Sequence, residues 1–394
     1  MTLDLARIAA DTPGAADAVF LDSAGSSLPP TPVLETVVGH LRREAEIGGY
    51  RAAEERAADL AGVKESIGRL LGAPAAAVAL VDSATRAWTQ AFYAVALRPG
   101  DRILLSGVEY ASNAVAALHR AAATGAVVEF VPSDPTGQID LEALAGMLDE
   151  RVRLVSLVQV PTNGGLVNPV REVVDAAHAH GAFVLLDACQ SIGQLRVDVD
   201  ELGVDALSGT GRKWLRGPRG TGFLYVRPGL IGDLDPPVID LHSATWRAPD
   251  RFDLAGDATR FELWESDVAG RLGLGAAVDY LLELGVDAVE KAVAEGAERL
   301  RDALAEIPGV RVRDLGRRRC GIVTFTVARV APETVRDRLR ARDVTVTVSR
   351  RGSTLVDMDA RGLEAVVRAS PHYFVHPDQL DAAVRAVAEV AATA

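Results

Sequence analysis

The feature that most constrains the fold is an alternation of short β-rich runs and helical segments between residues 60 and 230. Apolar strands separated by helices are typical of a mostly parallel sheet that is covered by helices on both faces. We therefore predict an α/β domain whose ligand binds beyond the carboxyl ends of the strands. The predicted strands are residues 77–81, 102–105, 127–131, 154–158, 182–186, 206–207 and 222–226.

A second region begins with a long amphipathic stretch, residues 268–307, which predicts a helical connection. Further strands, a helix after Pro332 and an Ala- and Val-rich helix from Pro377 predict a smaller α+β domain. The predicted strands there are residues 310–313, 321–327, 344–348 and 365–368. We accordingly place an N-terminal segment at 1–20, a large domain at 21–265 and a small domain at 266–394.

Charge and cysteine content exclude several classes of protein. The formal charge is −12 and arginines are scattered among acids, which argues against binding to nucleic acid or to anionic membranes. No apolar run has the length of a membrane span, and the first residues lack the layout of a signal peptide. Cys189 and Cys320 can form neither a disulfide framework nor a metal site. We expect a cytoplasmic protein without bound metal.

Lysine is scarce in this chain. Of the 42 lysines and arginines, three are lysines: Lys64, Lys213 and Lys291. A lysine amine with a lowered pKa can attack a carbonyl group, whereas a guanidinium cannot. Lys64 and Lys291 lie in segments with helical apolar spacing and are expected on solvated helix faces. Lys213 lies in a glycine-rich segment before a predicted strand, so it is the candidate for chemistry.

Asp187 and Lys213 together suggest a cofactor. Asp187 closes the apolar run 183–186, where a doubly wound sheet binds its ligand, although a helix cap would also explain it. Pyridoxal phosphate needs a lysine that holds its aldehyde as an imine and a carboxylate that keeps its pyridine nitrogen protonated. An acid and a lone lysine after neighbouring strands fit this need, and Gln190 follows Asp187 closely.

The phosphate of such a cofactor needs hydrogen-bond donors. Residues 83–85 lie between a predicted strand and a helical segment, which is a helix N-terminus suited to an anion, or an ordinary cap. Thr210 and Arg212 flank Lys213 and could add a hydroxyl and a cation. Tyr110 follows another strand and could stack on a planar ring, although simple packing would also account for it.

Motifs spread along most of the chain resemble one enzyme family. They are Phe20-Leu-Asp-Ser-Ala-Gly, Asp187-Ala-Cys-Gln-Ser-Ile-Gly, Val204-Asp-Ala-Leu-Ser, Arg212-Lys-Trp-Leu-Arg-Gly-Pro-Arg-Gly-Thr-Gly, Arg260-Phe-Glu, Gly273-Leu-Gly-Ala-Ala and Arg368-Ala-Ser. The chain resembles class V aminotransferase-fold proteins, which are fold type I pyridoxal phosphate enzymes, in particular the cysteine desulfurase and selenocysteine lyase group. Arg42-Arg-Glu-Ala-Glu-Ile-Gly-Gly-Tyr50 also resembles the branch of the ergothioneine-pathway (hercynylcysteine sulfoxide) C–S lyase.

This resemblance implies a role for each matching position. Lys213 would be the catalytic Schiff-base lysine, and Asp187 would pair with the pyridine nitrogen. The other implied cofactor contacts are Gln190 to the ring hydroxyl, Ala84, Thr85, Thr210 and Arg212 to the phosphate, Tyr110 stacked on the ring, Asn163 or its neighbour Thr162 over the ring, and Ser266 from a neighbouring subunit. The implied substrate contacts are Arg368 to the carboxylate, with Tyr50 and Arg350 as candidates for the distal part. The family also implies a homodimer.

One departure from the family narrows the reaction. Cysteine desulfurases carry a nucleophilic cysteine in the loop before the last arginine motif, whereas residues 345–355 here contain none. We therefore predict β-elimination on an S-substituted cysteine or cysteine sulfoxide rather than persulfide formation. Amino transfer or epimerisation of an amino acid on the same cofactor residues is the first alternative, and a non-catalytic binding protein is the second.

Overall fold

The computed structural model describes residues 3–393, so Met1, Thr2 and Ala394 of the predicted terminal segments lie outside it. The chain alternates between short strands and helices. The strands are β1 (Val19–Phe20), β2 (Val78–Val81), β3 (Arg102–Ser106), β4 (Val127–Val131), β5 (Val152–Val158), β6 (Phe183–Asp187), β7 (Ala206–Thr210), β8 (Gly222–Val226), β9 (Ala244–Ala248), β10 (Arg251–Leu254), β11 (Val310–Val312), β12 (Val323–Val327), β13 (Val344–Thr345), β14 (Thr347–Arg350) and β15 (Ala365–Ala369).

Helices follow or precede most of these strands. They are α1 (Leu5–Asp11), α2 (Ser23–Ser26), α3 (Thr31–Ile47), α4 (Gly49–Glu55), α5 (Ala57–Leu71), α6 (Ala84–Ala94), α7 (Ala111–Thr124), α8 (Leu141–Met147), α9 (Val170–His178), α10 (Val199–Leu202), α11 (Val268–Leu284), α12 (Val286–Ala305), α13 (Pro332–Arg340), α14 (Leu355–Ala360) and α15 (Pro377–Ala392). None of these helices combines the length and the apolar composition that crossing a membrane requires.

The central sheet has seven strands in the order β2–β8–β7–β6–β5–β3–β4. The five strands from β7 to β4 are parallel, and β8 runs antiparallel to both of its neighbours. This arrangement confirms the predicted α/β class with a mostly parallel sheet. Because parallel strands end at the same edge, the residues that follow β5, β6 and β7 converge on one site.

Helices cover both faces of this sheet, and alternate strand residues contribute to two separate apolar layers. Leu104 of β3 belongs to one layer together with Val173 of α9. Ile103 and Leu105 of the same strand belong to the other layer, which includes Trp88 of α6. Successive strand side chains point to opposite faces, so a run that is apolar throughout must be covered on both.

A smaller antiparallel sheet follows, with the order β11–β12–β15–β14, and it packs against α12, α13 and α15. The predicted single strand at 344–348 is wrong in one respect, because the chain divides there into two strands. β13 pairs in parallel with β1 near the N-terminus, whereas β14 pairs with β15. Residues 19–20 are therefore joined to the C-terminal part of the chain.

Two other sequence expectations need correction. The amphipathic stretch 268–307 forms two helices rather than one, because Gly285 adopts a positive φ of 85° and ends α11. Lys64 does not lie on a fully solvated helix face. Its Nζ lies 2.6 Å from Oε1 of the buried Glu262, which also accepts a hydrogen bond from the backbone of Leu80.

A buried arginine holds together three distant segments behind the sheet edge. Arg216 donates to Leu28 O at 2.8 Å, to Tyr373 Oη at 2.7 Å and to Thr12 Oγ1 at 2.6 Å. Its guanidinium also lies over the Phe374 ring, 4.6 Å from the centroid. Residues near the N-terminus, the segment after Lys213 and the segment after β15 therefore share one charged group.

We predict that Arg216→Met lowers the free energy of unfolding by about 3 kcal/mol or more, because three acceptors, two of them buried, lose a charged donor at once. Arg219→Met is the matched control, since Arg219 is exposed and its replacement is expected to change stability by less than about 0.5 kcal/mol. Chemical denaturation followed by circular dichroism measures both variants. Equal stability of the two would contradict the structural role of Arg216.

Candidate active site

An open cleft of about 640 Å³ lies at the carboxyl edge of the central sheet. It collects side chains from the ends of β5, β6 and β7 and from the starts of α6 and α7, which are far apart in sequence. The lining residues are Ser83, Ala84, Thr85, Tyr110, Asn113, Val158, Val160, Thr162, Asp187, Cys189, Gln190, Thr210, Arg212 and Lys213. The cleft therefore contains most of the residues that the sequence nominated.

Asp187 is the last residue of β6, and its buried carboxylate is held by two hydrogen bonds. Oδ1 accepts from the backbone N–H of Cys189 at 3.0 Å, and Oδ2 accepts from Nδ2 of Asn113 at 3.0 Å. Each carboxylate oxygen can accept more than one hydrogen bond, so Asp187 keeps free acceptor capacity. A fixed, buried carboxylate with this capacity suits a protonated ring nitrogen.

Lys213 follows β7 and lies in the same cleft. Burial lowers the pKa of its amine, and the positive charges of Arg212 and Arg368 lower it further. The negative charge of Asp187 acts in the opposite direction. An amine that loses its proton more easily is a better nucleophile toward an aldehyde and a better base toward a C–H group.

Gln190 connects the Lys213 segment to residues near the N-terminus. Its Nε2 donates to Ala24 O at 3.0 Å, and its Oε1 accepts from the indole Nε1 of Trp214 at 2.9 Å. Gln190 therefore fixes the residue beside Lys213, in addition to lining the cleft. One N–H of its amide remains for a ring substituent.

The N-terminus of α6 forms one end of the cleft. Ser83 caps this helix by accepting from Arg86 N at 3.2 Å, and the following N–H groups open toward the cleft. Gly222 of β8 allows this close approach, because a Cβ there would lie 2.6 Å from the carbonyl carbon of Ser83. Thr210 and Arg212 lie in the same cleft and add a hydroxyl and a cation.

Arg368 of β15 lies beside the cleft rather than in its lining. Its Nη1 donates to Oγ1 of Thr162 at 2.8 Å, and its Nη2 pairs with Oδ1 of Asp22 at 3.1 Å. The buried Nε has no hydrogen-bond partner among residues 3–393. This unpaired donor is free for a carboxylate, in keeping with the role expected for Arg368.

Besides Arg368, four nominated residues lie outside the lining of the cleft. The Asn163 side chain donates to Arg350 O at 3.1 Å, whereas its neighbour Thr162 lines the cleft. The Arg350 guanidinium is turned away and pairs with Glu333 at 2.8 Å. Tyr50 on α4 is 84% exposed. Ser266 lines a different depression beside Asp82 and Arg271.

The sequence did not predict two residues of the site, Asn113 and Asp22. Asn113 donates to the Asp187 carboxylate, and Asp22 pairs with Arg368. The position of Asn113 in the first turn of the helix after β3 is the available signal, because that turn meets the sheet edge where Asp187 lies. Asp22 offers no such signal, since its partner is 346 positions away.

The donors of this cleft fit pyridoxal phosphate. A buried amine of lowered pKa and a fixed carboxylate lie in the same cleft as a helix N-terminus, a hydroxyl and a cation. The first two serve the aldehyde and the ring nitrogen of this cofactor, and the others suit a phosphate. Fold and site together define a pyridoxal phosphate-dependent enzyme of fold type I.

Sequence comparison identifies the family. The aminotransferase class-V family model matches residues 19–382, so the chain belongs to this family. A probable cysteine desulfurase of Halalkalibacterium halodurans is 30% identical over 382 residues, covering 92% of this chain and 91% of the relative. A probable cysteine desulfurase of Methanothermobacter thermautotrophicus is 26% identical over 390 residues, covering 97% and 96%.

Solved structures share the fold. The cysteine desulfurase CsdA of Escherichia coli superposes with a TM-score of 0.91 at 25% identity, covering 100% of this chain and 99% of CsdA. The cystine C–S lyase C-DES, in complex with its product cysteine persulfide, gives a TM-score of 0.87 at 24% identity and covers 96% and 99%. With its family and relatives, this chain is a cysteine desulfurase-like enzyme of the C–S lyase type with pyridoxal phosphate as its cofactor.

We predict that borohydride reduction of the cofactor-loaded protein attaches the cofactor permanently to Lys213. The lowered pKa of this amine favours its condensation with the aldehyde. Mass spectrometry of peptides locates the adduct readily, because the chain has only two other lysines. Lys213→Ala is expected to lose the adduct, whereas Lys291→Ala, at an exposed helix position, retains it. An adduct that persists in Lys213→Ala would contradict this role.

Proposed function

We propose that this protein catalyses β-elimination on an S-substituted cysteine or a cysteine sulfoxide-like amino acid, without a persulfide-forming cysteine. Lys213 and Asp187 are the catalytic residues of this proposal. Support comes from the class V family, from relatives named cysteine desulfurases and from the shared fold of C-DES, which is a cystine C–S lyase.

The state of the thiols is the observation that carries the proposal. Burial raises the pKa of Cys320 to about 11, and this side chain lies in the apolar core. Burial, with the charge of Asp187, raises the pKa of Cys189 well above its usual range. A raised pKa favours the protonated thiol over the thiolate, which is the nucleophilic form, so neither side chain is suited to accept sulfur. Residues 345–355 supply no further thiol.

Each residue of the cleft has a task in this reaction. When bound, pyridoxal phosphate supplies an aldehyde that combines with the substrate amine and a ring that accepts electrons from the α-carbon. Arg368 binds the substrate carboxylate through its unpaired Nε–H and holds the α-carbon toward the cleft. Asp187 would keep a proton on the pyridine nitrogen, and Ala84, Thr85, Thr210 and Arg212, which line the same cleft, would hold the phosphate.

Lys213 then acts as the base. Its Nζ takes the proton from the α-carbon, and the electron pair of that bond expels the β-substituent as the C–S bond breaks. The sulfur leaves with its bonding electrons as a thiolate or sulfenate. The remaining three-carbon enamine is hydrolysed by water to pyruvate and ammonium, so no external oxidant or reductant is needed.

We predict that the cofactor-loaded protein releases pyruvate from S-substituted cysteines, from cystine or from cysteine sulfoxides. Pyruvate is measured by a coupled lactate dehydrogenase assay across a panel of these compounds. Lys213→Ala is expected to lose at least about a thousandfold in kcat, because the general base is removed. Accumulation of the amine form of the cofactor without pyruvate would replace elimination by amino transfer.

The matched control for this experiment is a variant in which Cys189 and Cys320 are both changed to alanine. Retention of pyruvate release within about threefold is expected, because neither thiol takes part in the proposed reaction. Loss of release in this variant, with normal cofactor content, would indicate a persulfide-forming cysteine and contradict the proposal.

We further propose that the protein is a homodimer whose partner completes the cleft. The hairpin β9–β10 exposes Trp246, which is 78% exposed and pairs across the strands with the exposed Phe252. Exposed aromatic groups of this size are typical of an interface. Ser266, which lies outside the cleft of its own chain, is then available to the partner's phosphate. The domain boundary at 265/266 and the cytoplasmic location also remain proposals.

We predict that Trp246→Arg raises the dimer dissociation constant at least about tenfold, because a charge replaces an aromatic side chain that the proposed interface would bury. Light scattering after size-exclusion chromatography over a range of protein concentrations measures this constant. Val127→Arg, at an exposed position of the edge strand β4, is the control and should leave the dimer intact. A wild-type chain that stays monomeric while it retains cofactor would contradict the proposal.

A further inference from the structure

A second acid lies buried behind the cleft, and the reaction described above does not use it. Glu109 is located between β3 and α7 and is 4% exposed. One of its oxygens, Oε1, accepts from its neighbour Tyr110 N at 3.0 Å. A buried carboxyl group is costly unless it is paired or protonated, so its presence so close to Asp187 needs an explanation.

A single amide joins this acid to the site. Nδ2 of Asn113 donates to Glu109 Oε1 at 2.9 Å and to Asp187 Oδ2 at 3.0 Å. An amide nitrogen carries two hydrogens, so both are used, one for each carboxyl group. The orientation of Asn113 toward Asp187 thus depends on the contact that Glu109 provides.

The surroundings of Glu109 favour its uncharged form. Burial raises its pKa to about 8, and the negative charge of Asp187 contributes to this rise. The groups that oppose the rise are neutral: the side chains of Asn113 and Ser156 and the backbone N–H of Tyr110. A carboxyl group with a pKa of about 8 is mostly protonated at pH 7, so Glu109 carries its proton there, whereas Asp187 accepts hydrogen bonds from Cys189 N and Asn113 Nδ2.

The neighbouring strand β5 places the hydroxyl group of Ser156 near the Glu109 carboxyl group. Ser156 of β5 lies between β3 and β6, opposite Leu105 on one side and Leu185 on the other. Its Oγ and the Oε2 of Glu109 are both buried, and neither has a well-aligned hydrogen-bond partner within the described part of the chain. A protonated Oε2 can donate to a hydroxyl, whereas an ionised one would leave buried charge without a cation.

We propose that Glu109 is a positioning residue that acts through Asn113. Its uncharged carboxyl group accepts one N–H of Asn113 and so directs the other N–H to Asp187, the carboxyl group that lines the cleft. An ionised Glu109 would hold its own N–H of Asn113 more strongly and would place a negative charge close to the Asp187 carboxyl group. The orientation of Asp187 toward the cofactor therefore depends on Glu109, which does not itself contact the cofactor.

The test measures how tightly the protein binds the cofactor in the absence of substrate. Its outcome is therefore independent of the proposed elimination reaction. The dissociation constant of pyridoxal phosphate is measured by the visible absorption of the bound cofactor for wild type, Glu109→Gln, Glu109→Met and Asn113→Ala. Glu109→Gln keeps an acceptor without a charge, whereas Glu109→Met fills the space without an acceptor. Glu150→Gln, at an exposed position, is the matched control for loss of a carboxylate.

We predict that Glu109→Gln retains the affinity for the cofactor within about threefold, because it imitates the protonated acid. Glu109→Met and Asn113→Ala are each expected to raise the dissociation constant at least about tenfold. The double variant Glu109→Met/Asn113→Ala should be no weaker than Asn113→Ala alone, since one residue acts through the other. Additive losses in the double variant, or equal losses in Glu109→Gln and Glu109→Met, would overturn the proposal.

A pH titration of the bound cofactor's visible spectrum gives a second readout for the case in which Glu109→Met does not fold. Wild type should show a spectral transition near pH 8, where Glu109 loses its proton, and Glu109→Gln should lack it. The titratable or charged groups around Glu109 are its neighbour Tyr110, Asp187 on β6 and, in the adjoining cleft, Cys189, Lys213 and Arg212. Identical titrations of the two proteins would refute the assignment of the charge to Glu109.

Discussion

The site depends on keeping the Lys213 side chain in the cleft at the carboxyl edge of the central sheet. The loop that carries Lys213 is fixed at several points around it. Trp214 is bound through its indole N–H by Gln190 and through its carbonyl by Nε2 of the buried His372. Arg216 joins the same loop to segments near both ends of the chain. Burial lowers the pKa of the Lys213 amine, and these contacts hold the loop in the position where that burial occurs.

Electrostatic roles in the cleft are divided among acids that differ in their surroundings. Burial and the negative charge of Asp187 raise the pKa of Glu109 to about 8, whereas the Asp187 carboxyl group accepts hydrogen bonds from Cys189 N and Asn113 Nδ2. Asp22 is half of an ion pair with Arg368, and burial raises its pKa while the guanidinium opposes that rise. The charge of Arg368 is therefore already partly compensated by an acid of the chain itself, which would weaken its attraction for any further carboxylate.

Sequence patterns predicted the parts of this structure that depend on residues close together in the chain. Buried runs such as 222–226 and a lone lysine after a strand located the sheet and the cleft, because strand ends converge by geometry alone. Contacts over long sequence separation were not predictable: the pairing of Lys64 with Glu262 and the pairing of Asp22 with Arg368 depend on how distant segments pack. The register around Asn163 was also open, and Thr162 rather than Asn163 lines the cleft.

The pairing of the first strand with the end of the chain has a consequence for biosynthesis. Val19 aligns with Val344 in the parallel pair β1–β13, and Ala24 N donates to Ser370 Oγ. The ribosome synthesises the chain from its N-terminus, so Val19 and Ala24 cannot make these contacts until Val344 and Ser370 have been added. The central sheet can form earlier, but the side of the cleft next to Arg368 forms only after β15 has been made. Stable cofactor loading is therefore expected to follow the synthesis of β13 and β15.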